Sequence, residues 1–242
     1  MAEITPLATV ECGQRPIREI NQEIKALIAA GRTGIELAGP GARHNLGVGI
    51  VQLARIHIRG SAGYYCAGLI DGPEFEVDGS AGWGLAESMM SGKVVVHGNA
   101  GNGAAAAIRG GTVVIHGDAA ARLGVSMKGG LVLVGGDCGY MAAFMGQKGT
   151  LIVCGNTGEA FADSMYETTC FVGGKVGDLG TDAVIEPLSE EDIAMLDSTL
   201  ATHFSAGERA RKPAPRAFQK IVAGRKLWNF DKRNWQWWRE AL

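Results

Sequence analysis

The chain has 242 residues, of which 37 are glycine and seven are proline, and its formal net charge is −2. This length suits one large domain or two small ones and is enough to bury a sizeable core. The scarcity of proline and the lack of Gly-X-Y triplets exclude collagen-like and proline-rich disordered proteins. No stretch approaches the ~18 consecutive apolar residues of a membrane span and the N-terminus lacks a signal-peptide pattern, so we expect a cytoplasmic protein without membrane contact.

The first predicted element is a helix that begins near Pro16. Apolar residues recur with helical spacing from Ile17 to Ile28, and Gly31 follows the last of them. Proline at the first helical position and glycine after the last are typical helix boundaries. We expect this helix to cap the first coil of the fold that follows. Residues 35–55 predict an irregular coil and complete an N-terminal unit, residues 1–55.

Residues 56–180 contain a repeat of 19 residues. Two apolar columns, which begin with Ile56 and Ile58, lie on one face of a strand because they are two residues apart. A unit this short cannot bury its apolar face alone, so stacked copies must share one core. We predict an all-β fold, a right-handed single-stranded β-helix (β-solenoid) of about seven 19-residue coils with N-terminal and C-terminal helical caps. Its corners are the glycines that recur at this interval, Gly60, Gly79, Gly98, Gly117, Gly136, Gly155 and Gly174.

Two polar columns flank the corner glycines. The column before them is Arg59, Asp78, His97, His116, Gly135, Cys154 and Gly173. Stacking places His97 beside His116, but two imidazoles are too few for a typical metal site, so an outward-facing polar surface is the favoured interpretation. The column after the glycines is Ser61, Ser80, Asn99, Asp118, Asp137, Asn156 and Lys175. Short polar side chains at turns predict hydrogen bonds to the local backbone.

The sequence contains no recognisable catalytic or cofactor motif. The Walker pattern, the GxSxG elbow and the HExxH helix are absent, and no helix follows the glycine-rich strings as a dinucleotide site requires. The five cysteines form no CxxC pair, which predicts buried free thiols. We therefore predict no catalytic, cofactor-binding or metal-binding residue in this chain.

One outward column of the strands is apolar, although a solvated strand face is usually polar. A column of this kind must be covered, either by the C-terminal segment of the same chain or by another protein. We predict it to be an interface, and we call it the apolar stripe. The apolar stripe consists of Val95, Val114, Leu133, Ile152 and Phe171.

Residues 181–242 form the C-terminal unit. Ser189 followed three residues later by Asp192 predicts a capping box, and apolar residues up to Phe204 predict a helix that closes the last coil. Residues 208–242 carry ten Lys and Arg against three Asp and Glu, which favours protein contact or a solvated segment over nucleic acid. Four tryptophans of this tail are further interface candidates, Trp228, Trp235, Trp237 and Trp238.

Taken together, these features resemble the C-terminal β-helix domain of the large subunit of glutamate synthase. The resemblance rests on the 19-residue period, on GxxG strings such as Gly98 to Gly101 with a small residue four positions later, and on the segment from Glu186 through HFSAGERARK at 203–212. The third glycine of the family's GxxGxxxG pattern is kept at Gly124 and replaced elsewhere by alanine. The length is similar to that of the free-standing β-helix subunit of N-methylglutamate synthase.

The resemblance implies a non-catalytic scaffold subunit of a cytoplasmic hetero-oligomer. The implied partners are a glutamate-synthase-like subunit that carries FMN and an iron–sulfur cluster, and an amidotransferase-like subunit with an N-terminal nucleophile. The implied complex converts methylamine and glutamate to N-methylglutamate and ammonia. A split glutamate synthase, another glutamine amidotransferase complex and formylmethanofuran dehydrogenase, whose β-helix subunit shares the glycine pattern, remain alternatives.

Two other classes of solenoid protein fit the sequence less well. A stand-alone acyltransferase acting through His97 or His116 would show six-residue subperiods, into which 19 does not divide. A carbohydrate-contacting β-helix would be secreted and would show aromatic ladders on its outside, and neither signal is present in the sequence.

Overall fold

Strands from successive repeats stack side by side into one continuous sheet. A computed structural model describes residues 7–225. Its strands are β1 (Ala8–Glu11), β2 (Gly34–Ala38), β3 (Arg55–Ile58), β4 (Asp71–Val77), β5 (Ser91–Val96), β6 (Thr112–Ile115), β7 (Lys128–Val134), β8 (Lys148–Val153), β9 (Glu167–Val172), β10 (Ala183–Glu186) and β11 (Gln219–Ala223). Within the described residues the strand order is β1 to β9 in sequence, then β11 and β10.

The predicted β-solenoid of about seven turns is confirmed. Strands β3 to β9 pair in parallel, and the register joins residues 19 apart: Ile56 pairs with Phe75, and Phe75 pairs with Val94. Both apolar columns predicted from the sequence point inward, and every member is at most 1% exposed. The stacked coils therefore share one core, as a repeat that cannot fold alone requires.

The other two sides of each coil are also joined to their neighbours by hydrogen bonds. On one side, single parallel bridges join Ala62, Ala81, Ala100 and their equivalents. On the other, three alternate residues per coil have positive φ. Their N–H groups donate alternately to the coils on either side: Ala105 donates to Leu85 of the preceding coil at 2.7 Å.

The two ends of the solenoid differ from the sequence prediction in detail. Helix α1 (Ile17–Ala29) caps the first coil with three buried isoleucines. Residues 35–55 were expected to be irregular, but β2 lies at their start and pairs in parallel with β3, and β1 pairs with β2. The interval between β2 and β3 is 21 residues instead of 19, which is why the repeat pattern did not reveal β2.

The C-terminal helix was predicted to close the last coil, and this position is wrong. Helix α2 (Glu190–His203) packs on the outer face of the sheet, and the edge of β9 is instead paired antiparallel with β11, which pairs with β10. An exposed strand edge needs backbone partners, which a strand supplies and a helix does not. Two short helices follow α2, namely α3 (Ala206–Arg209) and a 3₁₀ turn (Pro215–Ala217). In residues 7–225, no helix is both long enough and apolar enough to cross a membrane.

Candidate functional site

The apolar stripe is covered by residues 188–218 of the same chain, which we call the covering segment. Val114, Leu133, Ile152 and Phe171 are at most 2% exposed. They form a second core, separate from the interior of the solenoid, with apolar side chains of the covering segment. The buried contributors from this segment are Leu196, Leu200, Phe204 and Phe218. The sequence left two alternatives for covering the apolar stripe, the C-terminal segment of the same chain and another protein. The structure shows the first of them.

The helix of the covering segment begins as predicted. The Ser189 hydroxyl accepts a hydrogen bond from the Asp192 N–H at 3.1 Å, and the Asp192 carboxylate accepts one from the Ser189 N–H at 2.9 Å. A second capping box, which the sequence analysis did not single out, begins α3 at Ser205 and Glu208. Its sequence signal was present, because the two residues have the same three-residue spacing.

Polar contacts fasten the covering segment along the solenoid. The Glu208 carboxylate that completes the second capping box also lies 2.8 Å from Nδ1 of His116. Hydrogen bonds from the Ser205 hydroxyl and N–H, together with the one from His116, lower the pKa of Glu208 to about 2. Further along, the Lys212 ammonium donates to the Gly135 carbonyl at 2.6 Å and lies 4.9 Å from the centre of the Phe204 ring.

The interface prediction is therefore corrected for four residues of the apolar stripe. Val114, Leu133, Ile152 and Phe171 are buried within the chain, so they offer no surface to a second protein. Val95 is half-buried at the margin of the cover. The four candidate tryptophans, Trp228, Trp235, Trp237 and Trp238, lie outside the described residues.

The polar column before the corner glycines divides into two parts. The rings of His97 and His116 lie side by side with centroids 4.9 Å apart, as stacking predicts, but each has a carboxylate partner of its own. His97 donates to Glu76 at 2.8 Å, and His116 donates to Glu208. Only the first part of the column faces solvent, since residues from His116 onward lie under the covering segment. Among residues 7–225, no three His, Cys, Asp or Glu side chains are grouped closely enough to hold a metal ion.

All five cysteines are buried and free. Burial raises the pKa of the Cys66 thiol to about 12 and that of Cys154 to about 11. A thiol is a nucleophile only as the thiolate, so these cysteines pack as small apolar groups.

The polar column after the corner glycines forms a ladder between coils instead of the local turn contacts expected. The N–H of Ser80 donates to the Ser61 hydroxyl at 3.0 Å, and the same contact repeats through Asn99, Asp118, Asp137, Asn156 and Lys175. Each accepting oxygen lies too close to the corner glycine of the next coil for that glycine to carry a β-carbon: at Gly98, the Ser80 hydroxyl oxygen would be only 2.5 Å from it. Of the seven corner glycines, only Gly60 has positive φ, so close approach explains the remaining six.

A short aromatic stack lies on the outside of the first coils, so the expectation that no aromatic ladder is present is wrong. His44, Tyr64 and Trp83 stack in consecutive coils, with ring centroids 4.3 and 5.2 Å apart. Tyr64 is 40% exposed, Trp83 is 53% exposed, and the neighbouring Tyr65 is 48% exposed. The signal was available, because Tyr64 and Trp83 are 19 residues apart. We call His44, Tyr64, Tyr65 and Trp83 the aromatic patch.

Comparison with known proteins supports the fold. The chain is similar to a chain in the crystal structure of the formyltransferase/hydrolase complex FhcABCD from Methylorubrum extorquens in complex with methylofuran, with a TM-score of 0.61 and 25% sequence identity. The match covers 73% of this chain and 69% of that chain. No family model and no curated protein matches the sequence.

Proposed function

We propose that this protein is a structural β-solenoid subunit of a multi-subunit enzyme, in which it binds the catalytic subunits. The observation that carries this proposal is its likeness to a chain of FhcABCD over about two thirds of that chain. A continuous core and hydrogen bonds between coils on all three sides make the solenoid a rigid support. Rigid supports suit complexes that must keep a reactive intermediate away from water.

The aromatic patch is the proposed contact surface for a catalytic subunit. Aromatic side chains are enriched at protein interfaces, and large rings that are about half exposed in a free subunit gain most from being covered. The patch lies on the first coils, far along the solenoid axis from most of the covering segment. Its surface is therefore available while the apolar stripe is already occupied.

For the chemistry of the complex, our first candidate is N-methylglutamate synthase, in which methylamine and glutamate give N-methylglutamate and ammonia. The segment at 203–212 supports this candidate, because it resembles the segment that follows the β-helix in glutamate synthase. It is the part of the covering segment that contacts the solenoid through Glu208 and Lys212. The partners would be an FMN- and iron–sulfur-bearing subunit and an amidotransferase-like subunit, and this chain would hold no cofactor. A split glutamate synthase shares these expectations.

The second candidate is a formyltransferase/hydrolase or formylmethanofuran dehydrogenase complex. The match to FhcABCD specifically favours it. The β-solenoid alone does not separate the two candidates, because the glycine pattern is common to both families.

The test is purification of the tagged full-length chain from its native cells at low salt. We expect a hetero-oligomer, and visible absorbance from flavin and iron–sulfur in that assembly would support the first candidate. Formyl transfer or hydrolysis by an assembly without flavin would support the second. Recovery of the chain alone, with its untagged partners demonstrably expressed, would overturn the subunit role.

A matched pair of variants tests the contact surface. Trp83→Ser should reduce recovery of the partner subunits at least about tenfold, as loss of an aromatic hot spot does. Tyr140→Ser is the control, because Tyr140 occupies the same position of a later coil, is similarly exposed at 49%, and does not belong to the aromatic patch. Equal recovery with both variants would contradict this choice of surface.

A further inference from the structure

An open groove of about 450 Å³ lies where the covering segment ends on the outer face of the sheet. Strands β3 to β6 form its floor, Thr202 and His203 at the end of α2 form one wall, and Leu7 lies on the opposite side. Four of the five histidines of the chain line this groove, namely His57, His97, His116 and His203. Its volume falls in the range of small-molecule sites.

The carboxylates around the groove are already paired. Glu74 lies 3.3 Å from the guanidinium of Arg55, and Glu76 accepts a hydrogen bond from His97. Beyond the groove, Asp78 accepts one from His57 at 2.6 Å. These contacts leave no carboxylate in the groove without a cationic or imidazole partner.

Lys93, in contrast, has no such partner within the described part of the chain. It extends from β5 into the groove, and its ammonium group makes no hydrogen bond or ion pair with any of the residues 7–225. An ammonium group in a half-enclosed site is stabilised by an anion. Among residues 7–225, the Lys93 ammonium is therefore the one charged group of the groove without a hydrogen-bond or ion-pair partner.

The groove wall formed by the end of α2 holds a second polar group without a hydrogen-bond partner among the described residues. Nδ1 of His203 is buried and has no hydrogen-bond partner among the described residues. Burial, and after it the positive charge of Lys93 and the neighbouring His116, lower the pKa of His203. A buried nitrogen without a partner costs free energy, and rotation of the imidazole would let a ligand in the groove satisfy it.

We propose that this groove binds a small organic anion through a carboxylate that pairs with Lys93 and accepts a hydrogen bond from His203. The half-buried Val95, between Lys93 and His97 on the floor, contacts the carbon skeleton of the ligand. Because the groove is concave, a small molecule fits it better than a flat protein surface does. This inference is independent of the proposed function, because it concerns the isolated chain.

The test is titration of the full-length protein with succinate and, separately, with succinamide, its neutral analogue of the same size. Imidazole resonances in NMR spectra and calorimetry report binding. We expect saturable binding of succinate that shifts the His203 resonances, and binding of succinamide at least about tenfold weaker, because a charge-assisted hydrogen bond is lost.

Two lysine variants complete the test. Lys93→Met should weaken succinate binding at least about tenfold, whereas Lys148→Met should not change it. Lys148 is the matched control because it is exposed, begins strand β8 of the same sheet and lies outside the groove. Equal binding of succinate and succinamide, equal affinities of the two variants, or no saturable binding of succinate would each overturn the proposal.

Discussion

At the scale of single residues, side-chain oxygens that cross from one coil to the next leave no room for a β-carbon at most corners. A β-carbon at position 98 would lie 2.5 Å from the Ser80 hydroxyl oxygen and 2.9 Å from the backbone carbon of Gly79. Backbone atoms cannot move away without breaking the ladder between coils. Glycine is required at this corner by its neighbours, and not by its own φ.

Left-handed conformations are carried by other residues. Ala86, Ala105 and Ala143, which replace the third glycine of the family pattern, all have φ between 53° and 61°. Each conformation of this kind costs about 1–2 kcal/mol in an alanine. The hydrogen bonds to the preceding coil and the burial of the methyl group offset this cost.

Replacement of Gly98 by alanine should therefore destabilise the protein by about 1–3 kcal/mol, the usual cost of overpacking, and valine should cost more. For a chain of this length the alanine variant should lower Tm by several degrees. The control is Gly207→Ala in α3, where a β-carbon has no atom within 4 Å. We expect Gly207→Ala to leave Tm unchanged or slightly higher, and an unchanged Tm for Gly98→Ala would contradict the steric explanation.

At the scale of elements, the covering segment completes a surface that the solenoid strands leave apolar. Burial of Leu196, Leu200 and Phe204 contributes roughly 1.5–3 kcal/mol for each side chain. The contact of Glu208 with His116 then fixes the position of the short helix α3 over the column of the solenoid. One carboxylate thus stabilises both a helix terminus and a contact between elements.

This contact predicts a pH dependence with a defined sign. The pKa of Glu208 is about 2 in the folded protein and ordinarily about 4.5, so its contribution to stability is complete above pH 4.5 and is lost as the pH falls towards 2. We expect Glu208→Gln to cost about 1 kcal/mol at pH 7. The difference between the two proteins should shrink as the pH falls below 4.5.

Urea unfolding of both proteins from pH 7 to pH 2.5 measures this difference. Glu159→Gln is the control, because Glu159 is exposed and its carboxylate makes no hydrogen bond or ion pair with other described residues. A constant difference between wild type and Glu208→Gln over the whole range would refute the assigned role of the carboxylate.

At the scale of the whole molecule, stability is divided among coils that contact only their neighbours. Deletion of residues 80–98 removes one repeat and joins Gly79 to Asn99. A corner glycine is then still followed directly by a residue of the polar ladder, as in the native chain. The inward columns and the ladder keep their register, so we expect a cooperatively folded protein with a smaller urea m-value, because less surface is buried.

Deletion of residues 80–89 is the matched comparison. It removes half a coil and places a turn segment against a strand, so inward residues lose their partners. Circular dichroism and size-exclusion chromatography should show loss of cooperative unfolding or aggregation of this variant only. Equal stability of the two deletion variants would show that the 19-residue register does not control folding.

The solenoid could be predicted from the sequence because its interactions are repeated. Each inward position, such as that of Val94 or Val113, occurs in every coil, so the pattern reports the contact directly. The same reasoning predicted the helix after Pro16 and the capping box at Ser189. The aromatic patch was equally visible in the spacing of Tyr64 and Trp83, although it was not recognised.

The non-repeated contacts were decided by the tertiary structure alone. The position of α2 on the apolar stripe, the pairing of β11 with β9, and the groove around Lys93 each join residues that are distant in the chain and occur once. A single contact leaves no periodic signal in one sequence. The 19-residue repeat therefore determined the architecture, while the packing of the segments that flank it within residues 7–225 determined which of its surfaces are buried.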